Sequence, residues 1–316
     1  MHNNLIDLNL QKLISYFSLG LIVLIVCQIS LGASIRLTGS GLSCPDWPLC
    51  YGLWFPLKSK LLLIDSVDYE YYQIMLEWLH RLNAAVLIAP VTLFVCISTI
   101  IINKAKNIRF ITYITLFILL IQGLMGGFTV FDKNSPWSVA VHLGLALILL
   151  FLVIRIHLYS INIIFDNINT VKKNKIYIFF IALCFVYLTM LMGAIVSKSG
   201  SSLACDLWPL CSNDNMSILQ INKLIHIIHR LLAIISTVFV LWSYILLREF
   251  KNYFYISMLR FFMITFIFLQ IFMGAMVIFF ELNIVIAMIH QILAVLLFMM
   301  LSLVIWISLD INFNLK

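Results

Sequence analysis

The stretch GASIRLTGSGLSCPDWPLC at residues 32–50 returns in altered form as GAIVSKSGSSLACDLWPLC at residues 193–211. The two segments align without a gap and share Gly, Ala, Gly, Ser, Leu, Cys, Trp, Pro, Leu and Cys in that order. More pairs follow downstream: Leu-His-Arg at 79–81 and Ile-His-Arg at 228–230, Gln-x-x-Met-Gly at 122–126 and 270–274, and His142 and His290. A period of about 150 residues is too long for a solenoid. The pattern predicts two tandem copies of one domain, over residues 1–165 and 166–316.

Composition places both copies in a membrane. Hydrophobic residues make up 63% of the chain and charged residues 10%, which is more apolar surface than a soluble core of this size can bury. Apolar runs of about 20 residues, long enough to cross a hydrocarbon core, lie near 15–35, 73–102, 109–131, 137–158, 176–197, 222–247, 257–280 and 284–309. The runs are unbroken rather than alternating, which favours helices over a barrel. The predicted fold is an all-α membrane protein with eight transmembrane helices in two pseudo-symmetric four-helix bundles.

The net charge of +7 predicts orientation rather than a nucleic-acid partner. Most Lys and Arg residues lie on one side of an eight-span topology: Lys12, Lys104, Lys106, Arg109, Arg155, Lys172, Lys173, Lys175, Arg248, Lys251, Arg260 and Lys316. By the positive-inside rule both termini are cytoplasmic and the two cysteine loops face outward. Residues 1–14 show no cleavable signal pattern, so we expect the first span to be retained. A multi-pass protein of a bacterial inner membrane is the simplest location.

Four histidines lie near the outward ends of the even-numbered spans, namely His80, His142, His229 and His290. An ionisable residue inside a span is costly and indicates a function. One such histidine could merely donate a hydrogen bond to a neighbouring helix, but four at matched depth in two copies favour metal ligation. Two imidazoles from facing helices can hold an iron porphyrin from both sides. The pattern therefore predicts two hemes or heme-shaped sites.

Charged neighbours of these histidines differ between the copies. Arg81 and Arg230 directly follow a histidine, and each could either extend to the membrane interface or pair with a heme propionate. Glu77 stands three positions before His80 on the same helical face, whereas the second copy has His226 at that place. His226 is a competing ligand for iron. A carboxylate beside a porphyrin could accept a proton or stabilise developing positive charge, so Glu77 marks the first copy as the active one.

Small and polar residues on the odd-numbered spans are less specific. A glycine recurs near each outward end, at Gly32, Gly126, Gly193 and Gly274. These glycines indicate close approach, either of a neighbouring helix or of a flat macrocycle. Gln122 and Gln270 lie one turn away, and we assign them no chemistry.

Four of the seven cysteines lie in the repeated loops, as Cys44 with Cys50 and Cys205 with Cys211. Because the outer side of the membrane is oxidising, we predict a disulfide in each loop. So short a loop gains only about 2 kcal/mol from closure, and the spacing leaves open whether the bond is structural or redox-active.

These motifs together resemble heme A synthase. The resemblance rests on eight spans in two halves, on Thr-Gly-Ser-Gly-Leu-Ser-Cys followed by a second cysteine after the first span, and on Glu-x-x-His-Arg in the second. It covers residues 15–309, and it implies oxidation of the C8 methyl group of heme O to a formyl group through successive hydroxylations. Glu77, His80 and His142 then belong to the substrate heme, and His229 and His290 to a heme b for electron transfer.

The resemblance also implies partners and leaves alternatives. We expect a heme O synthase and an electron acceptor in the membrane, cytochrome oxidase assembly downstream, and a homo-oligomer as one possible state. A cytochrome b561-like quinol carrier would need the histidines but neither Glu77 nor the cysteine loops. A membrane disulfide-generating oxidoreductase would need the cysteines but not four intramembrane histidines.

Overall fold

A computed structural model describes residues 2–64, 67–102, 106–161, 173–211, 219–250 and 253–313. Packing divides the chain into two compact units, Met1–Val153 and Ile154–Lys316, called here the first and the second unit. This division lies within a helix. The predicted domain boundary at 165 and 166 lies outside the described residues.

The regular structure of the described residues is helical. The chain forms, in order, α1 (His2–Leu37), α2 (Lys58–Leu61), α3 (Tyr71–Asn83), a π-helical segment (Ala84–Ile88), α4 (Ala89–Ile102), α5 (Lys106–Phe131), α6 (Pro136–Ser160), α7 (Lys173–Lys198), α8 (Leu219–Leu246) with a 3₁₀ turn (Leu247–Phe250), α9 (Phe254–Phe279) and α10 (Ile284–Phe313). Cys50 and Leu53 form an isolated antiparallel bridge in the first cysteine loop.

Within the described part of the chain, eight helical stretches are long and apolar enough to cross a membrane: Leu8–Leu37, Tyr71–Ile102, Lys106–Phe131, Pro136–Ser160, Lys175–Lys198, Gln220–Phe250, Phe254–Phe279 and Ile284–Asp310. The prediction of an all-helical protein with eight spans is confirmed. The helices extend past the predicted apolar runs, and α1 begins at His2 rather than near residue 15. Hydropathy detects the part of a helix suited to hydrocarbon, whereas backbone hydrogen bonds continue into polar residues.

Local sequence explains where the site helices begin and end. The α3 helix begins with a capping box, in which Glu70 and Gln73 each accept a hydrogen bond from the other's backbone N–H. The α1 and α7 helices end just before Gly39 and Gly200, whose φ angles of 69° and 74° lie in the left-handed region that glycine adopts without strain. Both cysteine loops therefore leave their helices through the same kind of turn.

The second span is not a uniform helix. Residues Ala84–Ile88 form a π-helical segment, which begins three residues after Arg81. Gln28 of α1 donates a side-chain hydrogen bond of 2.8 Å to the carbonyl of His80, so a side chain enters the backbone ladder where the period changes. The α8 helix, by contrast, runs unbroken from Leu219 to Leu246.

Helix packing brings the histidine-bearing helices beside glycine-bearing ones. In the first unit α1 packs against α3 and α4, and α4 packs against α5. In the second unit α7 packs against α8, α8 against α9, α9 against α10 and α10 against α7. The second unit is therefore a closed four-helix arrangement in which each helix contacts two others.

Candidate functional site

The four predicted histidines occupy matched places in their spans. Counted from Tyr71 and Gln220, where the two spans begin, His80 and His229 each lie nine residues into the helix. His142 and His290 each lie six residues in, counted from Pro136 and Ile284. All four residues are half-buried.

Each imidazole lies directly against one of the recurring glycines. A Cβ atom added at Gly32 would stand 3.3 Å from Cε1 of His80, and one at Gly126 would stand 3.2 Å from Cε1 of His142. In the second unit the same distance is 3.1 Å both from Gly193 to His229 and from Gly274 to His290. These separations are shorter than ordinary van der Waals contact, so any larger residue would displace the ring. The group that approaches each glycine is thus an imidazole of an adjacent helix.

The first unit brings two imidazoles within reach of one metal ion. The ring centroids of His80 and His142 lie 6.4 Å apart, with the ring planes inclined by 62°. With metal–nitrogen bonds of about 2 Å on each side and a ring nitrogen about 1 Å from each centroid, a shared iron requires a separation of about 6 Å. The centroid distance therefore fits one iron between the rings.

Two glutamines that we assigned no chemistry stand beside ligand candidates. Gln122 Nε2 lies 3.5 Å from His142 Nε2, and Gln270 Nε2 lies 3.3 Å from His290 Nε2. Each glutamine is four residues before the glycine that touches the same ring, so both residues share one helical face. The repeated Gln-x-x-Met-Gly motif was the signal in the sequence for this contact.

Glu77 is buried at 5% exposure and fully engaged with its own unit. One carboxylate oxygen accepts a 2.6 Å hydrogen bond from Arg81 Nη2, which also makes the pair a salt bridge. The other oxygen accepts from the Cys44 backbone N–H at 2.9 Å and from the Ser43 hydroxyl at 3.1 Å. The carboxylate thus joins α3 to the start of the cysteine loop.

Both arginines next to a histidine bind the carbonyls of their cysteine loop. Arg81 donates to the carbonyl oxygens of Asp46 (2.5 Å), Leu49 (2.7 Å) and Cys44 (3.1 Å). Arg230 donates to those of Leu207 (2.9 Å), Pro209 (3.0 Å), Leu210 (3.1 Å) and Cys205 (3.1 Å). Each guanidinium therefore holds its loop against the histidine helix. Pairing of Arg81 or Arg230 with a heme carboxylate stays a prediction.

His226 takes the place of Glu77 in the second unit and contacts the segment that leads into the second cysteine loop. Its side chain is 5% exposed, and its Nδ1 lies 3.0 Å from the carbonyl oxygen of Ser201. His226 is thus more buried than His229 and is bonded to the loop, which makes His229 the more accessible ligand candidate.

The two predicted disulfides are present. Cys44 is bonded to Cys50 and Cys205 to Cys211, with Cα atoms 4.7 Å and 4.6 Å apart. Cys44, Cys50 and Cys205 are fully buried. The first disulfide packs with Leu61 and Ile74 in a small apolar cluster, so it joins the loop to α2 and α3.

The first loop also reaches the helix that faces His142. The Trp47 indole lies against Gly127, where an added Cβ would stand 3.3 Å from the ring. Gly127 follows the glycine that touches His142. The loop therefore contacts α3 through Glu77 and Arg81, and α5 through Trp47.

Asp46 makes hydrogen bonds within the same loop. Its carboxylate accepts from the backbone N–H groups of Tyr51 at 2.6 Å and Gly52 at 2.8 Å. Burial, with nearby carboxylates such as Asp68 adding to it, raises the pKa of the Tyr51 phenol. The Tyr51 phenol therefore loses its proton less readily than a free tyrosine does.

Together these features define a polytopic helical membrane protein that carries paired imidazoles under disulfide-closed loops. The chain belongs to the COX15-CtaA family, described as cytochrome oxidase assembly protein, whose pattern matches residues 15–302. A heme A synthase from Macrococcus caseolyticus (strain JCSC5402) is 28% identical over 296 residues, covering 91% of this chain and 94% of that protein. A heme A synthase from Geobacillus kaustophilus (strain HTA426) is 26% identical over 287 residues, covering 89% and 87%. The predicted resemblance is confirmed.

Proposed function

We propose that this protein is a membrane oxidoreductase that converts heme O to heme A by oxidising the C8 methyl group to a formyl group. The observation that carries the proposal is the set of four half-buried imidazoles, each in contact with a glycine of a neighbouring helix, in a chain of the COX15-CtaA family. Relatives of similar length are named heme A synthases. The family match also argues against the quinol-carrier and disulfide-generating alternatives.

Substrate heme O is assigned to the His80–His142 pair. The 6.4 Å centroid separation supports this assignment, because it leaves room for one iron and requires no helix movement. The cysteine loop above the pair limits access from the outward end, so we expect the heme to enter laterally from the membrane.

A resident heme b is assigned to the His229–His290 pair. Both residues are neutral nitrogen donors in an apolar bundle, which is the donor chemistry that a low-spin heme requires. When bound, heme b supplies one-electron transfer. The protein's contribution is to hold the two imidazoles on α8 and α10 and to keep water away from them. His226 is hydrogen-bonded to the carbonyl of Ser201 and is not assigned to iron.

The acidic residue and the arginines receive different roles. Glu77 is proposed to act in catalysis, because it shares a helical face with His80 and the second copy has His226 at that place. Its three hydrogen-bond donors fix the carboxylate in place, which supports electrostatic stabilisation of positive charge at the oxidised carbon more than proton transfer. Arg81 and Arg230 are proposed to hold the loops and to present residual N–H donors to heme propionates.

Further proposals concern the arrangement of the chain in the membrane. The repeated loops, turns and histidine contacts support descent from a tandem duplication of one four-helix unit. Charge distribution supports cytoplasmic termini and outward cysteine loops in a bacterial inner membrane. The chemistry requires a heme O synthase to supply the substrate and an electron acceptor in the membrane, and cytochrome oxidase assembly would consume the product. A homo-oligomer is compatible with this arrangement.

Heme extraction from cells that make both heme O and this protein tests the activity. We expect heme A in the chromatogram, and we expect His80→Ala and His142→Ala to remove it while heme O accumulates. His157→Ala is the matched control, because His157 lies at the other end of α6 and should leave heme A unchanged. Cells that produce the folded wild-type protein and heme O but no heme A would contradict the proposal.

A further inference from the structure

The four candidate ligands differ in what their second ring nitrogen contacts. In the second unit Nδ1 of His229 lies 3.1 Å from the carbonyl oxygen of Thr189, and Nδ1 of His290 lies 3.2 Å from that of Gln270. Both contacts are hydrogen bonds from a ring N–H to a backbone carbonyl. Each of these imidazoles is therefore fixed in the tautomer whose Nε2 carries the lone pair that can bind a metal, which in His290 also lies 3.3 Å from Gln270 Nε2.

The first unit lacks this support. Nδ1 of His80 and Nδ1 of His142 are both buried without a hydrogen-bond partner among the described residues. Their contacts with Gly32 and Gly126 are nevertheless close to those of the second unit, at 3.3 Å and 3.2 Å. The pairs are thus alike in ring packing and differ in ring hydrogen bonding.

The two units also differ in the polar residue that contacts the helix of the first histidine of each pair. Gln28 stands where Thr189 stands in the repeat, and it donates to the carbonyl of His80 at 2.8 Å and accepts from Asn83 at 2.6 Å. Thr189 instead bonds through its hydroxyl to Ser236 at 2.7 Å. In the first unit, the side chain of Gln28 therefore contacts the backbone carbonyl of the histidine. In the second unit, the backbone carbonyl of Thr189 accepts a hydrogen bond from the ring of His229.

An outer hydrogen bond changes how strongly a histidine holds a metal. It fixes the ring orientation, raises the basicity of the ligating nitrogen, and its loss typically weakens metal affinity by about 10–100-fold. A buried N–H without an acceptor also makes the ligated state less favourable. Two pairs with similar glycine contacts can therefore differ in metal affinity.

We propose that these contacts separate a retaining site from a releasing site. The carbonyls of Thr189 and Gln270 act as positioning groups that keep heme on His229 and His290, whereas the unsupported rings of His80 and His142 let heme leave after each turnover. This inference rests on the proposed function for its assignment of substrate and resident heme. It goes beyond that function by identifying the groups that make one heme exchangeable.

Heme loss from the full chain tests the proposal. Two variants, each with one histidine pair replaced by alanine, are loaded with heme b in detergent, and excess apomyoglobin captures the heme that leaves. We expect heme b to leave the His80–His142 pair at least about tenfold faster than the His229–His290 pair. Equal rates, or faster loss from the second unit, would overturn the proposal.

Replacement of single histidines by Nδ1-methylhistidine isolates the hydrogen bond, because the methyl group removes the N–H donor and keeps Nε2. At position 229 or 290 we expect about tenfold faster heme loss and a higher midpoint potential, since a less basic ligand stabilises ferric iron less. At position 80 or 142, the matched controls, both quantities should stay nearly unchanged.

Two results would refute the role of the carbonyls. One is an equal response at all four positions, which would show that the methyl group acts by crowding the adjacent glycine. The other is no response at 229 and 290. Failure of the proposed function is a separate observation, namely absence of heme A from cell extracts, and it does not depend on these rates.

Discussion

Two regions of this protein each consist of a cysteine loop and the histidine-bearing helix that contacts it, α3 in the first unit and α8 in the second. They share one arrangement but carry different charges. In both, an arginine next to a histidine donates to loop carbonyls, and a disulfide closes the loop. Three residues before the histidine, the first region has Glu77 with three hydrogen-bond donors, whereas the second has His226 with one carbonyl. The second loop is held without a carboxylate, by Arg230 and His226. The carboxylate is therefore an addition specific to the first region, and a role beyond loop attachment is its simplest explanation.

The largest expected effect concerns the ligands of the second region. His229→Ala or His290→Ala should each abolish stable heme b, because one remaining imidazole leaves the iron without its second protein ligand. The measurement is the low-spin optical spectrum of the purified protein. His226→Ala is the control and should retain the spectrum. An unchanged spectrum in both ligand variants would refute the assignment.

Glu77→Gln should separate catalysis from heme binding. The amide keeps the shape and can still accept from the Cys44 N–H, but the charge is gone. We expect the variant to retain heme b and to bind heme O, and to lose heme A formation by about 10²–10⁴-fold or to stop at a hydroxylated product. Chromatography of extracted hemes measures this loss.

His226→Gln is the matched control for Glu77→Gln, since it changes the corresponding position in the second region. We expect it to leave heme A formation near normal. Near-normal heme A in Glu77→Gln, together with lower stability of that variant, would mean that the carboxylate serves only to attach the loop.

The two arginines should differ in their contribution to stability. Arg81→Ala leaves the buried Glu77 carboxylate without its cation, and breaking such a pair costs about 3–5 kcal/mol. Arg230 is half-buried and donates to neutral carbonyls, so Arg230→Ala should cost about 1.5–3 kcal/mol. Unfolding by graded SDS in mixed micelles measures both free energies. A larger loss of unfolding free energy for Arg230→Ala than for Arg81→Ala would show that the Glu77–Arg81 ion pair is not the stronger attachment of a loop.

Glycine substitutions should have the smallest effect and test ring packing in both regions. Gly126→Ala and Gly274→Ala would place a methyl group 3.2 Å and 3.1 Å from an imidazole carbon, and overpacking of this kind costs about 1–3 kcal/mol. We expect heme affinity at the adjacent pair to fall by about tenfold, measured by heme titration. Gly123→Ala is the control, because nothing lies within 4 Å of the added atom. Equal affinities in all three variants would contradict the packing role.

Much of the architecture was predictable because it depends on local properties of the chain. Spans follow from runs of apolar residues, and the two disulfides follow from paired cysteines six positions apart, on the interpretation that the repeated loops face an oxidising compartment. The loop turns follow from Gly39 and Gly200. The histidines were identifiable because an ionisable residue is costly in hydrocarbon wherever its helix packs. Helix ends were less predictable, since α1 begins at His2, well before its apolar part.

Contacts between distant segments were decided by the tertiary structure alone. The sequence placed Glu77 on the face of His80, yet its partners Ser43 and Cys44 lie more than thirty residues away and become donors only when the loop folds back. The glutamines gained a role only because α5 and α9 turn them toward a histidine. The Nδ1 contacts differ between regions although the histidines occupy matched places in their spans. Periodicity and hydropathy specify which residues share a face, but a hydrogen bond depends on distance and angle, and only the packed helices determine those.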